Sequence, residues 1–515
     1  MKLKYLIITV LLGSSAMTGC KKSWLDVNTN PNTVTSSTPE YIFTNALSRV
    51  GSAEGNLLSD ETGSYYAGYW MQSSSYILNT NTFAYNFTNV DFNYWDGWYD
   101  VLSDFNQAEK RGRDSAYYTF VIGPSKVMKA LLFQQIVDTY GNAPYSDALK
   151  GAGSLAPKFD DHKAIYEGLI KDLDTAIAIL KDPKSVFPGS TSAFDITFKG
   201  NRTNWIKLAN SLKLRILIHQ SRVSGRDAYI IAEINKAAAL PEGFLTATDA
   251  GENPGYLAST GKTNPYYDRW GFDPNGATRS LGRFPRPTKF LIDLYKSTGD
   301  SVRMKRMFYA IGGENGSTPG TSVRAEINSN YAGIPFGASS SAYTAGNMSP
   351  LGPAQIVKGQ FSKQFFFFTA AESNFLLAEA KQRYGAAVTL SGTAQSYYEE
   401  GVKQSFRLVG APAAAATTLL SNGIDLVDWN ASPDKLKAIW QQKWISLVGF
   451  CGMEGWAEYR RTGFPAIPQS VIVSDPNRRP VRLYYPQSEL GSNEANVTAQ
   501  GAINVFTNRL FWDVD

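Results

Sequence analysis

Two short segments of the chain combine aromatic rings with hydrogen-bonding side chains. Residues 76–86 carry Tyr76, Asn79, Asn81, Phe83 and Tyr85, and residues 264–270 read Asn264-Pro265-Tyr266-Tyr267-Asp268-Arg269-Trp270. A pyranose ring has one apolar face, which can lie on an aromatic side chain, and hydroxyls that pair with amides, carboxylates and guanidinium groups. A ring contact adds about 0.5–1.5 kcal/mol beyond area burial. The two segments therefore predict ligand contacts at Tyr76, Asn81, Tyr85, Tyr266, Tyr267, Asp268 and Trp270. Trp270 is the sharpest of these, because it stands in a Gly- and Pro-rich stretch outside any helical stripe. Trp95, Tyr99 and Leu102, by contrast, recur at helical spacing and read as core.

Catalytic chemistry has little material. The chain has 2 His and 2 Cys, which excludes zinc fingers, Cys-ligated iron–sulfur clusters and disulfide scaffolds as organising principles. His219 falls on an apolar helix face and reads as a satisfied core residue; His162 opens a helix and reads as solvated. Glu372 and Glu379 lie seven apart, roughly 10 Å by helical rise. That is near the separation of an inverting glycosidase pair, but ion pairing within a scaffold is the reading adopted. Glu454 and Glu458 with Arg460 and Arg461 read the same way. The stretch Ile311-Gly312-Gly313-Glu314-Asn315-Gly316 lacks the Lys-Ser/Thr of a phosphate loop. Asp91, Asn93 and Asp96 lack the spacing of an EF-hand. No catalytic residue, metal or cofactor is expected.

The elements that must position the two segments are helical. At 515 residues with 43% hydrophobic and 18% charged side chains, the chain can bury a large core. A net charge of +5 provides no field for nucleic acid. Helices are predicted near 40–50, 58–78, 92–111, 124–140, 161–181, 203–222, 226–239, 286–297, 370–384, 393–408 and 433–448. Ile165, Leu169, Leu173, Ala176 and Leu180 make one stripe, and Trp205, Leu208, Leu212, Ile216 and His219 another. Gly141 and Gly385 read as helix ends, and Ser432-Pro433-Asp434 as a start with Ser432 as cap. Short connections pair 124–140 with 161–181, 203–222 with 226–239, and 370–384 with 393–408. The expected fold is all-α dominated: a tetratricopeptide-like helix-pair scaffold with a long, loop-rich ligand face and a few short strands, the best at Val481–Tyr485. Irregular segments near 183–202, 241–285, 310–368 and 463–515 would supply the ligand face.

The N-terminus reads as an address. Lys2 and Lys4 precede a short apolar run, Tyr5–Leu12, and then Met17-Thr18-Gly19-Cys20. The run is too short to span a bilayer. The expected organisation is a lipoprotein signal peptide at 1–19, a lipid anchor and tether at 20–37 with Cys20 lipidated, and one domain at 38–515. Cys451 would then be alone, a buried and inert thiol.

Five stretches, in order, resemble the SusD/RagB family of outer-membrane nutrient-binding lipoproteins. They are Cys20 with Trp24-Leu25-Asp26-Val27-Asn28-Thr29-Asn30-Pro31-Asn32; Val137-Asp138-Thr139-Tyr140-Gly141-Asn142-Ala143-Pro144-Tyr145; Ala371-Glu372-Ser373-Asn374-Phe375-Leu376-Leu377-Ala378-Glu379-Ala380; Gln442-Lys443-Trp444-Ile445 running to Tyr459-Arg460-Arg461-Thr462-Gly463-Phe464-Pro465; and Arg482-Leu483-Tyr484-Tyr485-Pro486 with Glu489 and Asn493. The resemblance implies four tetratricopeptide-type helix pairs and a non-enzymatic role: capture of a nutrient, usually an oligosaccharide and sometimes a peptide. It also implies a SusC-like TonB-dependent transporter as partner and a lipid-anchored place on the cell-surface face of the outer membrane. A surface glycoside hydrolase is the alternative reading.

Overall fold

The computed structural model describes residues 37–51, 61–115, 117–187, 189–313 and 324–514. Cys20, the signal peptide and most of the tether lie outside the described residues. From Pro39 onward the chain forms one unit, and it is mainly helical. The first helix, α1 (Pro39–Val50), turns Phe43, Ala46, Leu47 and Val50 inward, the i, i+3, i+4, i+7 pattern of an amphipathic helix. Three short elements follow: α2 (Glu61–Tyr66), β1 (Trp70–Gln72) and α3 (Thr80–Phe83). The expected single helix over 58–78 is corrected here. The chain turns at Gly68, whose φ of +79° suits glycine, and then enters a strand.

The long helices α4 (Trp95–Arg113), α5 (Ile122–Tyr140), α6 (His162–Lys181), α7 (Arg202–His219) and α8 (Asp227–Ala238) follow. Each packs on the next in sequence. Gly141 ends α5 at φ +81°, as its position after Tyr140 predicts. The α6 stripe of Ile165, Leu169, Leu173, Ala176 and Leu180 is buried. Each such aliphatic side chain contributes about 1.5–3 kcal/mol by leaving water.

The middle of the chain holds β2 (Ala250–Glu252), α9 (Pro265–Trp270), β3 (Pro285–Pro287), α10 (Lys289–Ser297), α11 (Ser301–Met307) and β4 (Phe365–Phe368). Among the described residues β1 pairs antiparallel with β3, Trp70 opposite Pro287, and β2 with β4, Glu252 opposite Phe365. At Gly251 a Cβ would lie 2.1 Å from the Phe365 carbonyl oxygen, so only glycine permits this approach. Val481–Tyr485 is not a strand; the backbone there instead bonds Val505 and Thr139 singly.

The C-terminal part comprises α12 (Ala370–Tyr384), α13 (Ala394–Leu408), α14 (Ala413–Leu420), α15 (Lys435–Ser446), α16 (Gly452–Thr462), α17 (Gln487–Ser492) and α18 (Glu494–Thr498). The pairs α5–α6, α7–α8 and α12–α13 pack together, the three pairings the sequence predicts. The cap of α15 is Asp434, which accepts from the Lys437 amide, rather than Ser432. Cys451 is half-buried just before α16 rather than buried.

Helices α5, α7 and α12 are buried on nearly every face. Their polar side chains must therefore be satisfied internally. Arg215 donates to both oxygens of Glu372, at 2.5 and 2.7 Å. Arg461 donates to both oxygens of Glu379 at 2.7 Å and of Glu458 at 2.9 Å. Lys443 bridges Glu454 and Glu458 at 3.1 and 3.0 Å. His219 lies 3.1 Å from both Glu454 and the Tyr166 hydroxyl. Burial alone would raise Glu454, but Arg215, His219 and Lys443 hold its carboxyl well below the usual range. Arg460 differs from the expected ion pair: it donates to the carbonyls of Asp138 and Val481 and lies 3.8 Å over Trp456.

Candidate functional site

The two aromatic segments meet. Asn79, Thr82 and Phe83 from the first, and Arg269 from the second, line one cleft of 310 Å³ with Glu61, Thr62, Tyr65, Phe92, Tyr94 and Phe284. Its floor comes from α2, one wall from α3 and one from α9. Asn79 caps α3 by accepting from the Asn81 and Thr82 amides, which fixes the loop entering that wall. Asn264 does the same for α9 through the Tyr267 amide, with Pro265 at the first helical position. A cap and a Pro thus turn an aromatic loop into one and a half turns of helix, and Arg269 projects from its last turn.

Arg269 donates to Glu61 at 2.9 Å, and the Tyr65 hydroxyl donates to the other Glu61 oxygen at 2.8 Å. The guanidinium lies 4.6 Å over the Trp270 ring. The Tyr65 ring packs edge-on against Phe83 at 4.9 Å, and burial raises its hydroxyl well above the ordinary tyrosine value, so it stays a donor. Phe92 and Phe284 are half-buried. The cleft therefore sets apolar ring surface beside one fixed cation–anion pair. Such a mixture can hold a polyhydroxylated ring.

The predicted site residues divide. Tyr76 is half-buried at this edge, its ring 5.3 Å from Phe284 and its hydroxyl donating to the Ser280 carbonyl. Asn81 donates to Asp91 at 2.9 Å. Tyr266 is half-buried and lines a different cleft. Asp268 is ion-paired to Arg279. Tyr85 and Tyr267 are buried; Tyr85 donates to Gln469 at 3.0 Å, and its hydroxyl is pushed up to about 12 by burial. Trp270 corrects its expectation most clearly. It ends a helix, is 1% exposed, and packs edge-on against Trp70 at 6.1 Å, so the indole offers no open face for stacking.

Sequence reasoning missed Glu61, Thr62, Tyr65, Phe92, Tyr94 and Phe284. For Tyr65, Phe92, Tyr94 and Phe284 the only sequence signal is aromatic density, which the core shares; Glu61 and Thr62 carry none. Arg269, Asn79 and Phe83 are named within the two segments but not among the predicted ligand contacts. The carboxylates weighed for hydrolysis, Glu372 and Glu379, are buried in arginine pairs. Asp138, His219 and Glu454 stand close enough to hold a metal. However, the Lys443 ammonium already occupies Glu454, and Tyr166 and Trp512 donate to Asp138.

Comparison with known proteins follows this geometry. Among curated proteins no sequence match was found. A SusD homologue of Bacteroides fragilis is 22% identical, with 93% of this chain and 99% of that one covered and a TM-score of 0.73. A SusD-like protein of Bacteroides thetaiotaomicron is 21% identical, with coverage of 93% and 99% and a TM-score of 0.72. A chitin-binding SusD homologue of Flavobacterium johnsoniae is 21% identical, with coverage of 92% and 97% and a TM-score of 0.69. These likenesses establish the helical fold. A family model of SusD-like type, described as starch-binding and associating with the outer membrane, matches residues 31–486; the chain belongs to the SusD-like family.

Proposed function

We propose that the protein is a non-enzymatic glycan-binding lipoprotein that holds an oligosaccharide in the Arg269–Glu61 cleft and delivers it to a SusC-like TonB-dependent transporter. The observation that carries this reading is the convergence of two aromatic-polar segments, 190 residues apart in sequence, on one cleft with half-exposed rings and a fixed ion pair. The family's description as starch-binding and a neighbour's as chitin-binding support a glycan as the ligand class. Among the described residues no helix is long and apolar enough to cross a membrane. Attachment to the outer membrane, on its cell-surface face, is assigned to a lipid on Cys20.

The test is calorimetric titration of the purified protein against starch- and chitin-derived oligosaccharides, with product analysis of each mixture. Binding without released sugar is expected. Arg269→Gln and Phe284→Ala should each weaken it by about 1–2 kcal/mol, on the scale of a lost stacking contact. Released sugars would establish a hydrolase instead, and binding confined to peptides would replace the ligand class. Replacing Cys20 by Ala should move the protein out of the membrane fraction.

A further inference from the structure

Helix α9 also borders a second and larger cleft, of 450 Å³, to which it contributes Tyr266 and its cap Asn264. Three cations line it, Arg306, Lys363 and Arg407, and no Asp or Glu does. Arg407 is paired with Asp249 outside the lining, at 2.6 Å. Among the described residues the other two are held only by neutral oxygens. Arg306 Nε donates to the Val409 carbonyl at 2.7 Å, and Lys363 Nζ donates to the carbonyls of Pro353 and Ala354 at 2.6 and 3.2 Å. Burial, and then the nearby Arg306 charge, push Lys363 down to about 8. Folding has therefore gathered two like charges without a counter-charge, which is unfavourable unless an anion joins them. The same cleft has apolar and neutral polar surface. Half-buried Phe366 and Phe450 stand edge to face at 6.3 Å. Gln355 spends its Nε2 on the Gly449 carbonyl at 2.7 Å and leaves a buried Oε1 without a donor.

We propose that this cleft is a second ligand site, separate from the Arg269–Glu61 cleft, that takes an acidic sugar unit. Its carboxylate or sulfate ester pairs with Arg306 and Lys363, its apolar ring face lies by Phe366 and Phe450, and a hydroxyl donates to Gln355 Oε1. Charge-assisted bonds to the anion supply most of the discrimination against neutral sugars.

The experiment titrates the purified full chain with methyl glucuronide, N-acetylglucosamine 6-sulfate, methyl glucoside and inorganic sulfate, with thermal melting of every variant as a folding control. At least one acidic sugar should bind roughly ten-fold or more tighter than methyl glucoside. Which one is tighter distinguishes a carboxylate from a sulfate ester. Arg306→Gln and Lys363→Gln should each remove that margin, and Lys363→Arg should retain it. Lys437→Gln, an exposed residue that lines neither cleft, should leave it unchanged. Equal affinity for neutral and acidic sugars would overturn the proposal. So would inorganic sulfate binding as tightly as either acidic sugar, or a margin abolished by Arg269→Gln and kept in Arg306→Gln. The loss in Arg306→Gln and Lys363→Gln is read on the acidic sugar itself, so it does not depend on whether neutral oligosaccharides bind at the first cleft.

Discussion

The helical scaffold and the loop face use the same side-chain chemistry under opposite conditions. In the scaffold, Arg461 meets Glu379 and Glu458 with both partners wholly buried and every guanidinium nitrogen engaged. At the loop face, Arg269 meets Glu61 with its own side chain 39% exposed. The buried pair is compensated by geometry alone and cannot exchange a partner without leaving charge in a low dielectric. The half-exposed pair contributes less to stability than the buried one, and the solvent-facing side of Arg269 remains available to a ligand. The arginines are alike in chemistry, and their surroundings decide whether they hold the fold or serve the surface.

The strongest way to break this contrast is Arg461→Met. It leaves buried Glu379 with Arg383 and buried Glu458 with Lys443 as their remaining cations, and removing one partner of a buried pair costs about 3–5 kcal/mol. Urea unfolding should show a loss of that size or greater, against little change for Arg269→Gln. Equal, small losses would remove the distinction. Trp270→Ala comes next. The ring is buried against Trp70, so truncation should cost about 3–5 kcal/mol in the same assay and mark α9 as part of the core. A surface ring would lose affinity with little loss of stability.

Glu252 sharpens the comparison because it is buried like the scaffold acids yet has no cation among the described residues. Its Oε1 accepts from the Tyr256 hydroxyl, its Oε2 has no partner among them, and burial raises it from 4.5 to about 8. The folded state thus keeps a proton that the unfolded state releases. The stability this contributes is complete below pH 4.5 and falls as pH rises toward 8, by about 1.4 kcal/mol per pH unit at most. Glu252→Gln should unfold at higher denaturant than the wild type by a margin that widens from pH 5 to pH 8. A constant margin would mean that Glu252 is ionised in the folded protein.

The scaffold was the more legible region. The stripe of α6 and the helix ends at Gly141 and Gly385 are local signals, and the structure keeps each of them. The Glu458–Arg461 contact is three residues long and could be read from spacing. Its extension could not: Arg215 and Glu372 are 157 residues apart, and nothing in either segment names the other. The same limit governs the cleft. Asn264-Pro265 is a helix start in plain sight, but the aromatic loop reading masked it. Trp270 stands out in its own segment, and only Trp70, 200 residues earlier, reveals why it is buried. Phe92 and Phe284 line the site because long connections return there, which no local pattern encodes.

The partners of Asp138 set a schedule for folding. Its Oδ1 accepts from Tyr166, 28 residues later, and from the indole of Trp512, 374 residues later. His219 likewise waits for Glu454, 235 residues on. Helices α5 to α7 can pair early, but their interior polar groups cannot be completed until the region around residue 512 arrives. Contacts of such sequence separation slow folding, because loop closure must precede any gain from them. A chain lacking that region would carry a carboxyl group in its centre with one of its donors missing.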